Sequence, residues 1–376
     1  MCAKTAGCAR YVYNHGLGLK KDALARGQER VSSEQISALL PVLKAQEETA
    51  WLKEVPAAPL QQAVRHLGTA FKRYYAGTSG FPKFKKRSNR QGFTIPQHVQ
   101  IVGNSLRLPV IGLVRAVITR IPPGKIKSVT ISITPTGRYF ASVRFETLDA
   151  PPAKVPTTPS GTVGLDLGLT DFVVLSTGRK VANPRFLQKK LRRLKRAQRV
   201  LSRRKSGSAN RNKARHRVAM IHEKVANARK DFLHKLSTSI IHDSQVDTVA
   251  IEDLAVQNMQ KNARFARSIS DVGWGEFRRQ LAYKAERVGN NLLVIGQFEP
   301  SSKTCSCCGI IKASLGLRER TWTCLCGTVH DRDINAAINI KQFALNSVRQ
   351  DLPEFTLGES AGGLASTNQE LATSNG

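Results

Sequence analysis

Two close cysteine pairs, Cys305-Ser306-Cys307-Cys308-Gly309 and Cys324-Leu325-Cys326-Gly327, constrain this chain more than any other feature. Five of its seven cysteines lie between 305 and 326, while Cys2 and Cys8 are remote. Clustering of this kind in an enzyme-sized chain favours a metal over disulfides. Four thiolates in a tetrahedral array suit Zn²⁺ and leave no open coordination position, which makes the site structural. The expected set is Cys305, Cys308, Cys324 and Cys326. The second pair has one intervening residue where two are usual, so Cys307 stands as an alternative ligand. Directly downstream, His330-Asp331-Arg332-Asp333 opens a helix, and the metal ribbon therefore abuts an acidic site.

Two further carboxylates match that one. Thr162 to Leu169 reads as a buried strand with Asp166 near its end, flanked by Gly164 and Gly168. Val246 to Leu254 reads as another strand, ending in Glu252-Asp253. Between them lie a returning strand, 171–176, and a turn at 176–178 toward a third. Asn291 to Phe298 supplies a fifth strand. A mixed sheet that sets the first and fourth strands side by side lets Asp166 and Glu252 face one another, and the helix start puts Asp333 across from both. Asp331 is the rival for that third corner. Three close carboxylates repel unless cations neutralise them. Oxygen ligands with room for water and phosphate suit Mg²⁺ or Mn²⁺. Two such ions about 4 Å apart support in-line phosphoryl displacement.

The remaining sequence supplies a basic bed. The chain has 376 residues, enough for two or three domains, and Lys plus Arg outnumber Asp plus Glu by 59 to 27, a formal charge of +32. That excess implies a polyanionic partner, nucleic acid first. Residues 1–90 read as a helical recognition region. Within it Ser32-Ser33-Glu34-Gln35 marks a helix start, Leu60 to Tyr75 repeats apolar residues at three- and four-residue spacing, and Phe81-Pro82-Lys83-Phe84-Lys85-Lys86-Arg87 interleaves aromatics with cations. Residues 91–150 read as a small antiparallel barrel, and 151–161 as a Pro- and Thr-rich linker. The catalytic unit spans 162–345. It carries a basic helical hairpin at 185–242, with Leu187, Leu191, Leu194 and Val200-Leu201 striping its first arm, and the ribbon at 301–329. A disordered tail is expected over 346–376. No window approaches the roughly 20 apolar residues of a membrane span. No leader pattern opens the chain, so a prokaryotic cytoplasmic protein acting on the nucleoid is expected, with no membrane partner.

Taken together, these stretches resemble the TnpB family of transposon-encoded RuvC-like nucleases related to type V CRISPR effectors. The resemblance rests on Gly164-Leu165-Asp166-Leu167-Gly168, Ile251-Glu252-Asp253-Leu254, Gly273-Trp274-Gly275-Glu276-Phe277-Arg278-Arg279, the split-cysteine ribbon, His330-Asp331-Arg332-Asp333-Ile334-Asn335-Ala336-Ala337, and Ala9-Arg10-Tyr11-Val12-Tyr13-Asn14 near the start. It covers nearly the whole chain. It implies an α+β multidomain protein: an RNase H-like (RuvC) α/β catalytic domain with an inserted zinc ribbon, a helical insert and a wedge-like barrel. It further implies RNA-guided cleavage of double-stranded DNA, with a guide RNA from the transposon end, and Asp166, Glu252 and Asp333 as the catalytic acids. The family pattern sets an extra strand before the Ala9–Asn14 helix. None precedes it here, which predicts a barrel short of one edge strand. A strand-transferring transposase and a catalytically silent repressor of the same fold are the alternatives, and the presence of all three acids weighs against the second.

Overall fold

The protein is described by a computed structural model over residues 1–350, save 89–90, 120, 122–123, 147–149, 151, 298 and 317–318. The expected tail lies outside the described residues from 351 on. The chain packs as two compact units: Met1–Pro152 with Arg185–Phe232, and Ala153–Pro184 with the residues from Leu233 onward.

In the first unit, helices α1 (Cys2–Ala25), α2 (Ser33–Ala45) and α3 (Ala57–Tyr75) share one core. The α2 start is a capping box: the Ser32 hydroxyl accepts from the Gln35 N–H, and the Gln35 side chain accepts from the Ser32 N–H. Two orphan donors of the first turn are thereby satisfied. In α3, Leu60, Ala63, Val64, Leu67 and Phe71 are buried at helical spacing, so one face meets the core while Arg65, Lys72 and Arg73 stay outside it.

Strands β1 (Gln91–Ile95), β2 (Gln100–Val102), β3 (Ser105–Leu108), β4 (Gly112–Arg115), β5 (Ile126–Ile133) and β6 (Tyr139–Phe145) follow. They form two three-stranded antiparallel sheets, β1-β5-β6 and β2-β3-β4, rather than the single barrel expected. Phe93, Ile95, Leu106, Leu108, Val129 and Ile131 alternate inward from both sheets and join the helical core, so shared burial rather than a closed ladder unites them.

Helices α4 (Phe186–Ser202) and α5 (Ala209–Ile241) make the basic hairpin. Packing assigns it to the first unit through Phe232, whereas the sequence reading places all of 185–242 with the catalytic unit. The reason is visible at Thr136, between β5 and β6: its hydroxyl donates to Glu223 at 3.0 Å, and its carbonyl lies 3.2 Å from His216 Nε2. Of the expected stripe on α4 only Leu194 is buried, and Val200 is exposed. A helix with so many cations and one core anchor is held by little apolar area of its own.

The second unit is built on a five-stranded sheet of β7 (Thr162–Leu167), β8 (Asp171–Leu175), β9 (Lys180–Ala182), β10 (Thr248–Glu252) and β11 (Asn291–Ile295), in the order β11-β10-β7-β8-β9. β7, β8 and β9 are antiparallel neighbours, while β10 runs parallel to both β7 and β11. The first and fourth strands of the unit are thus adjacent, as the sequence reading requires. The fifth strand ends at Ile295, and its expected end at Phe298 lies outside the described residues.

Short helices α6 (Val256–Met259) and α7 (Ala266–Val272) lead to α8 (Trp274–Val288), where Trp274, Phe277 and Leu281 are buried and the Phe277 ring meets Phe172 edge-on at 5.0 Å. The ribbon adds β12 (Thr321–Thr323) and β13 (Val329–Asp331), and α9 (Arg332–Gln350) closes the unit, five residues longer than expected. The expected linker is tied down rather than free. The Val155 N–H donates to Gly289 O, the Asn291 amide donates to Val155 O, and the Thr158 hydroxyl donates to Asp247 at 2.5 Å. Its Thr side chains find partners that composition does not reveal.

Candidate active site

One face of the sheet is shaped to take α9. A Cβ placed on Gly164 would sit 2.0 Å from the Ala337 carbonyl oxygen, so only glycine lets the helix backbone lie this close to β7. On the next strand Ala250, with Ile295 beyond it, packs against Ile340 and Ala344 of α9. Side chains two apart on a strand share a face. Asp166 follows Gly164 by two, and Glu252 follows Ala250 by two. The matched pair Leu165 and Ile251 sets the two carboxylates abreast at the next step of the parallel ladder. Asp333 enters from the other side, one turn ahead of Ala337 in the first turn of α9.

The electrostatics follow from this placement. Burial, then Glu252, then Asp333, push the Asp166 carboxyl up to about 7, against the opposing pull of Arg332 and Arg320. Burial also pushes the Glu252 carboxyl up, offset by the Ser301 hydroxyl, which donates to Glu252 Oε1 at 2.6 Å. Asp333 faces the Arg320 guanidinium, with Nη1 3.3 and 3.4 Å from its two oxygens. The trio's oxygen donors are of the chemical kind that suits Mg²⁺ or Mn²⁺, whereas the candidate ligand atoms that close within 4.8 Å of one another among the described residues are those of the ribbon cysteines. A cavity of about 550 Å³ opens beside Glu252, with Leu167, Ile251, Leu254, Asn258, Trp274 and Arg278 in its wall.

Asp331, the rival third acid, is engaged elsewhere. Its Oδ1 accepts the backbone N–H groups of Asp333 and Ile334, and its Oδ2 accepts Lys180 Nζ at 2.6 Å. It is the cap of α9. Burial raises its carboxyl, but the Lys180 bond and the capped N–H groups outweigh that and hold it below the usual carboxylate range.

In the ribbon, the Sγ atoms of Cys305, Cys308, Cys324 and Cys326 all lie within 4.8 Å of one another, and Cys307 is not among them. The Cys305–Cys326 and Cys308–Cys324 separations are 3.7 and 3.6 Å. A tetrahedron with Zn–S bonds of about 2.3 Å has edges of roughly 3.8 Å, so the four thiols fit zinc. The Thr328 hydroxyl and N–H favour the Cys326 thiolate, which is drawn down to about 6. His330 Nε2 lies 3.0 Å from Cys305 Sγ, with the ring over Trp322 at 4.7 Å. The short second knuckle therefore closes without recruiting Cys307.

Sequence reasoning missed Ser301 and Arg320. A serine in a Pro-Ser-Ser stretch reads as a turn, and Arg320 reads as one more cation in a basic connector. Only the ribbon hairpin reveals it: Arg332 N–H donates to Arg320 O, which lays the two arginines side by side at the start of α9.

Comparison with known proteins bears on all these elements. A family described as "Probable transposase" (OrfB_IS605) matches residues 142–263, a "Cas12f1-like, TNB domain" matches 274–340, and a "Helix-turn-helix domain" (HTH_OrfB_IS605) matches 1–29. A Streptomyces pristinaespiralis protein named "Putative RNA-guided DNA endonuclease" is 43% identical over 343 residues, covering 90% of this chain and 84% of its own. The Escherichia coli K12 protein named "Putative RNA-guided DNA endonuclease InsQ" is 33% identical over 354 residues, covering 89% of this chain and 86% of its own. A Cas12f1 chain solved by cryo-EM in a "Cas12f1-sgRNA-target DNA complex" aligns over 90% of this chain and 81% of that one, at TM-score 0.54 and 15% identity. That last likeness is one of fold.

Proposed function

Since this chain belongs to the TnpB family of transposon-encoded proteins, we propose that it is an RNA-guided DNA endonuclease whose Asp166, Glu252 and Asp333 hold divalent cations at the scissile phosphate. The single observation that carries this reading is the placement of Asp166 and Glu252 abreast on parallel strands, with the Asp166 carboxyl raised to about 7 by burial and by its two acidic neighbours. The sheet order β11-β10-β7-β8-β9 supports an RNase H-like, RuvC-type catalytic domain.

Bound Mg²⁺ would supply a nucleophilic hydroxide and charge neutralisation on the phosphate. The rest is work for the chain's own side chains. Ser301 holds one oxygen of Glu252 and leaves the other free for a ligand. Lys180 and the α9 N–H groups occupy Asp331, so Asp333 alone of the two projects as the third donor. Arg320 balances charge at Asp333 and lies where a phosphate oxygen would need a cation. The cavity beside Glu252 has the room and the mixed apolar and amide wall that a nucleotide needs.

Exposed cations along α4, among them Lys189, Arg192, Arg193, Arg196 and Arg199, suit phosphate backbones by charge. On this reading they and the aromatic-basic segment 81–87 bind guide RNA or target DNA, while base pairing reads sequence and the protein reads shape and a short flanking motif. The site of action is the prokaryotic nucleoid. The deciding experiment is plasmid cleavage by the protein copurified with RNA from its own locus. Cutting that requires Mg²⁺ and follows the guide sequence is expected. Joining of transposon ends without RNA would overturn the reading in favour of strand transfer.

A further inference from the structure

Asn335 and Asn339 lie one turn apart on α9 and are buried to 1% and 3% exposure, although free asparagine side chains belong in water. Their partners explain this. Asn335 Nδ2 donates to the Thr304 carbonyl at 2.7 Å, and its Oδ1 accepts the Ser306 N–H at 3.0 Å. Asn339 Nδ2 donates to the same Thr304 carbonyl at 2.6 Å and to the Ser301 carbonyl at 2.7 Å. Both lone pairs of Thr304 O are thus taken by α9, at the residue just before Cys305. The segment between is tied to one acceptor: the Lys303 and Thr304 N–H groups and the Thr304 hydroxyl all donate to Pro300 O. At its far end the buried Ser301 hydroxyl reaches Glu252.

The geometry points to a clasp, formed by Asn335, Asn339 and Ser301, through which the zinc-loaded knuckle at Cys305 sets the position of the Glu252 carboxylate. The inference rests on the reading of Glu252 as a metal ligand. Zinc fixes Cys305 within the ribbon, the two amides fix the residues on either side of Cys305 to α9, and the Pro300–Thr304 turn carries that fixed position to Ser301. Asp333 stands on the same helix, so the ribbon and two of the three acids share one frame. Asn335, Asn339 and Ser301 are positioning residues, since each acts through the backbone or carboxylate it bonds. Buried, fully paired amides are suited to this role because each leaves a stranded carbonyl or N–H if the register slips.

The test measures Mn²⁺ affinity by calorimetry on the intact protein–guide RNA complex, together with zinc stoichiometry. Ser301→Ala should keep its zinc and bind Mn²⁺ about tenfold more weakly, the low end of the usual cost of removing a partner that orients a metal ligand. Ser301→Thr, which keeps the hydroxyl, should restore wild-type affinity. Asn339→Asp, isosteric but unable to donate, should weaken Mn²⁺ binding in the same direction. Cys305→Ser should weaken it in wild type more than in Ser301→Ala, because the route is already broken in the latter. If Cys305→Ser or Asn339→Asp does not fold, the Ser301 pair decides alone. Mn²⁺ affinity within twofold of wild type in Ser301→Ala, or equal loss in Ser301→Thr, overturns the clasp. Wild-type protein whose Mn²⁺ binding is untouched by Asp166→Ala would instead overturn the active-site reading itself.

Discussion

The cysteine cluster and the carboxylate trio are both sets of like groups that a cation would join, yet they are built in opposite ways. The four thiols come from two short turns of one ribbon, 304–311 and the β12–β13 turn, and their spacing is local. Cys308 and Cys326 stand exposed, and all four ligand atoms come from the ribbon itself. The three carboxylates come from two strands and a helix separated by about 80 residues at each step. They meet only because Gly164 and Ala250 admit α9 against the sheet. A local cluster pays little for its assembly, whereas a distributed one depends on the whole core behind it. The second also carries a cost in its metal-free state: burial first, and then repulsion from Glu252 and Asp333, raise the Asp166 carboxyl.

The largest expected effect sharpens that contrast. Asp166→Ala should lower guided cleavage by at least about a thousandfold, beyond the loss of one preorganised donor, while leaving RNA binding measured by filter retention near wild type. Retained cutting would remove Asp166 from the site. Phe277→Ala attacks the core behind the acids instead. Loss of a fully buried ring that meets Phe172 edge-on should cost about 3–5 kcal/mol in denaturant unfolding. A loss below about 1 kcal/mol would mean that the sheet does not depend on α8. Cys305→Ser should drop zinc content and lower the melting temperature, and unchanged zinc stoichiometry would take Cys305 out of the ligand set.

A smaller effect lies in pH. In the metal-free folded state Asp166 keeps its proton up to about 7, whereas an ordinary aspartate loses it near 3.8. Between those values the folded chain binds more protons than the unfolded one, so this group's contribution makes stability fall as pH rises through the window. Saturating Mg²⁺ should flatten that slope. A slope indifferent to Mg²⁺, and equally present in Asp166→Asn, would assign the pH dependence to other groups. Smallest of all, Arg320→Lys should preserve folding and lower cleavage by about tenfold, because an ammonium cannot span Asp333 and Thr170 as the two Nη atoms of the guanidinium do. Full activity in that variant would make Arg320 a surface partner only.

Much of the second unit was legible in advance. The strands around Asp166 and Glu252 declare themselves through apolar runs and turn residues. The small sheets were less so: β1 and β4 are short and only partly buried, and their pairing rests on register that a single strand does not encode. The assignment of the basic hairpin was read from chain order, while packing follows Thr136, Glu223 and His216. In the linker, the Thr158 hydroxyl is spent on Asp247 and the Thr157 hydroxyl accepts from Asn291, while the Val155 backbone bonds Gly289 and Asn291.

The opening cysteine stretch marks the boundary between the two kinds of information. The sequence by itself determined that two cysteine knuckles face one another and that an acid follows them, because ligand spacing and helix starts are local chemistry; that Cys307 stays out of the cluster came from the structure. Which acid projects and which one caps was decided by tertiary structure, since Asp331 and Asp333 differ only in what Lys180 and the α9 N–H groups take up. The same holds for Asn335 and Asn339. In sequence they are polar residues within an apolar run, and only the meeting of helix and knuckle turns their amides into partners for a buried backbone.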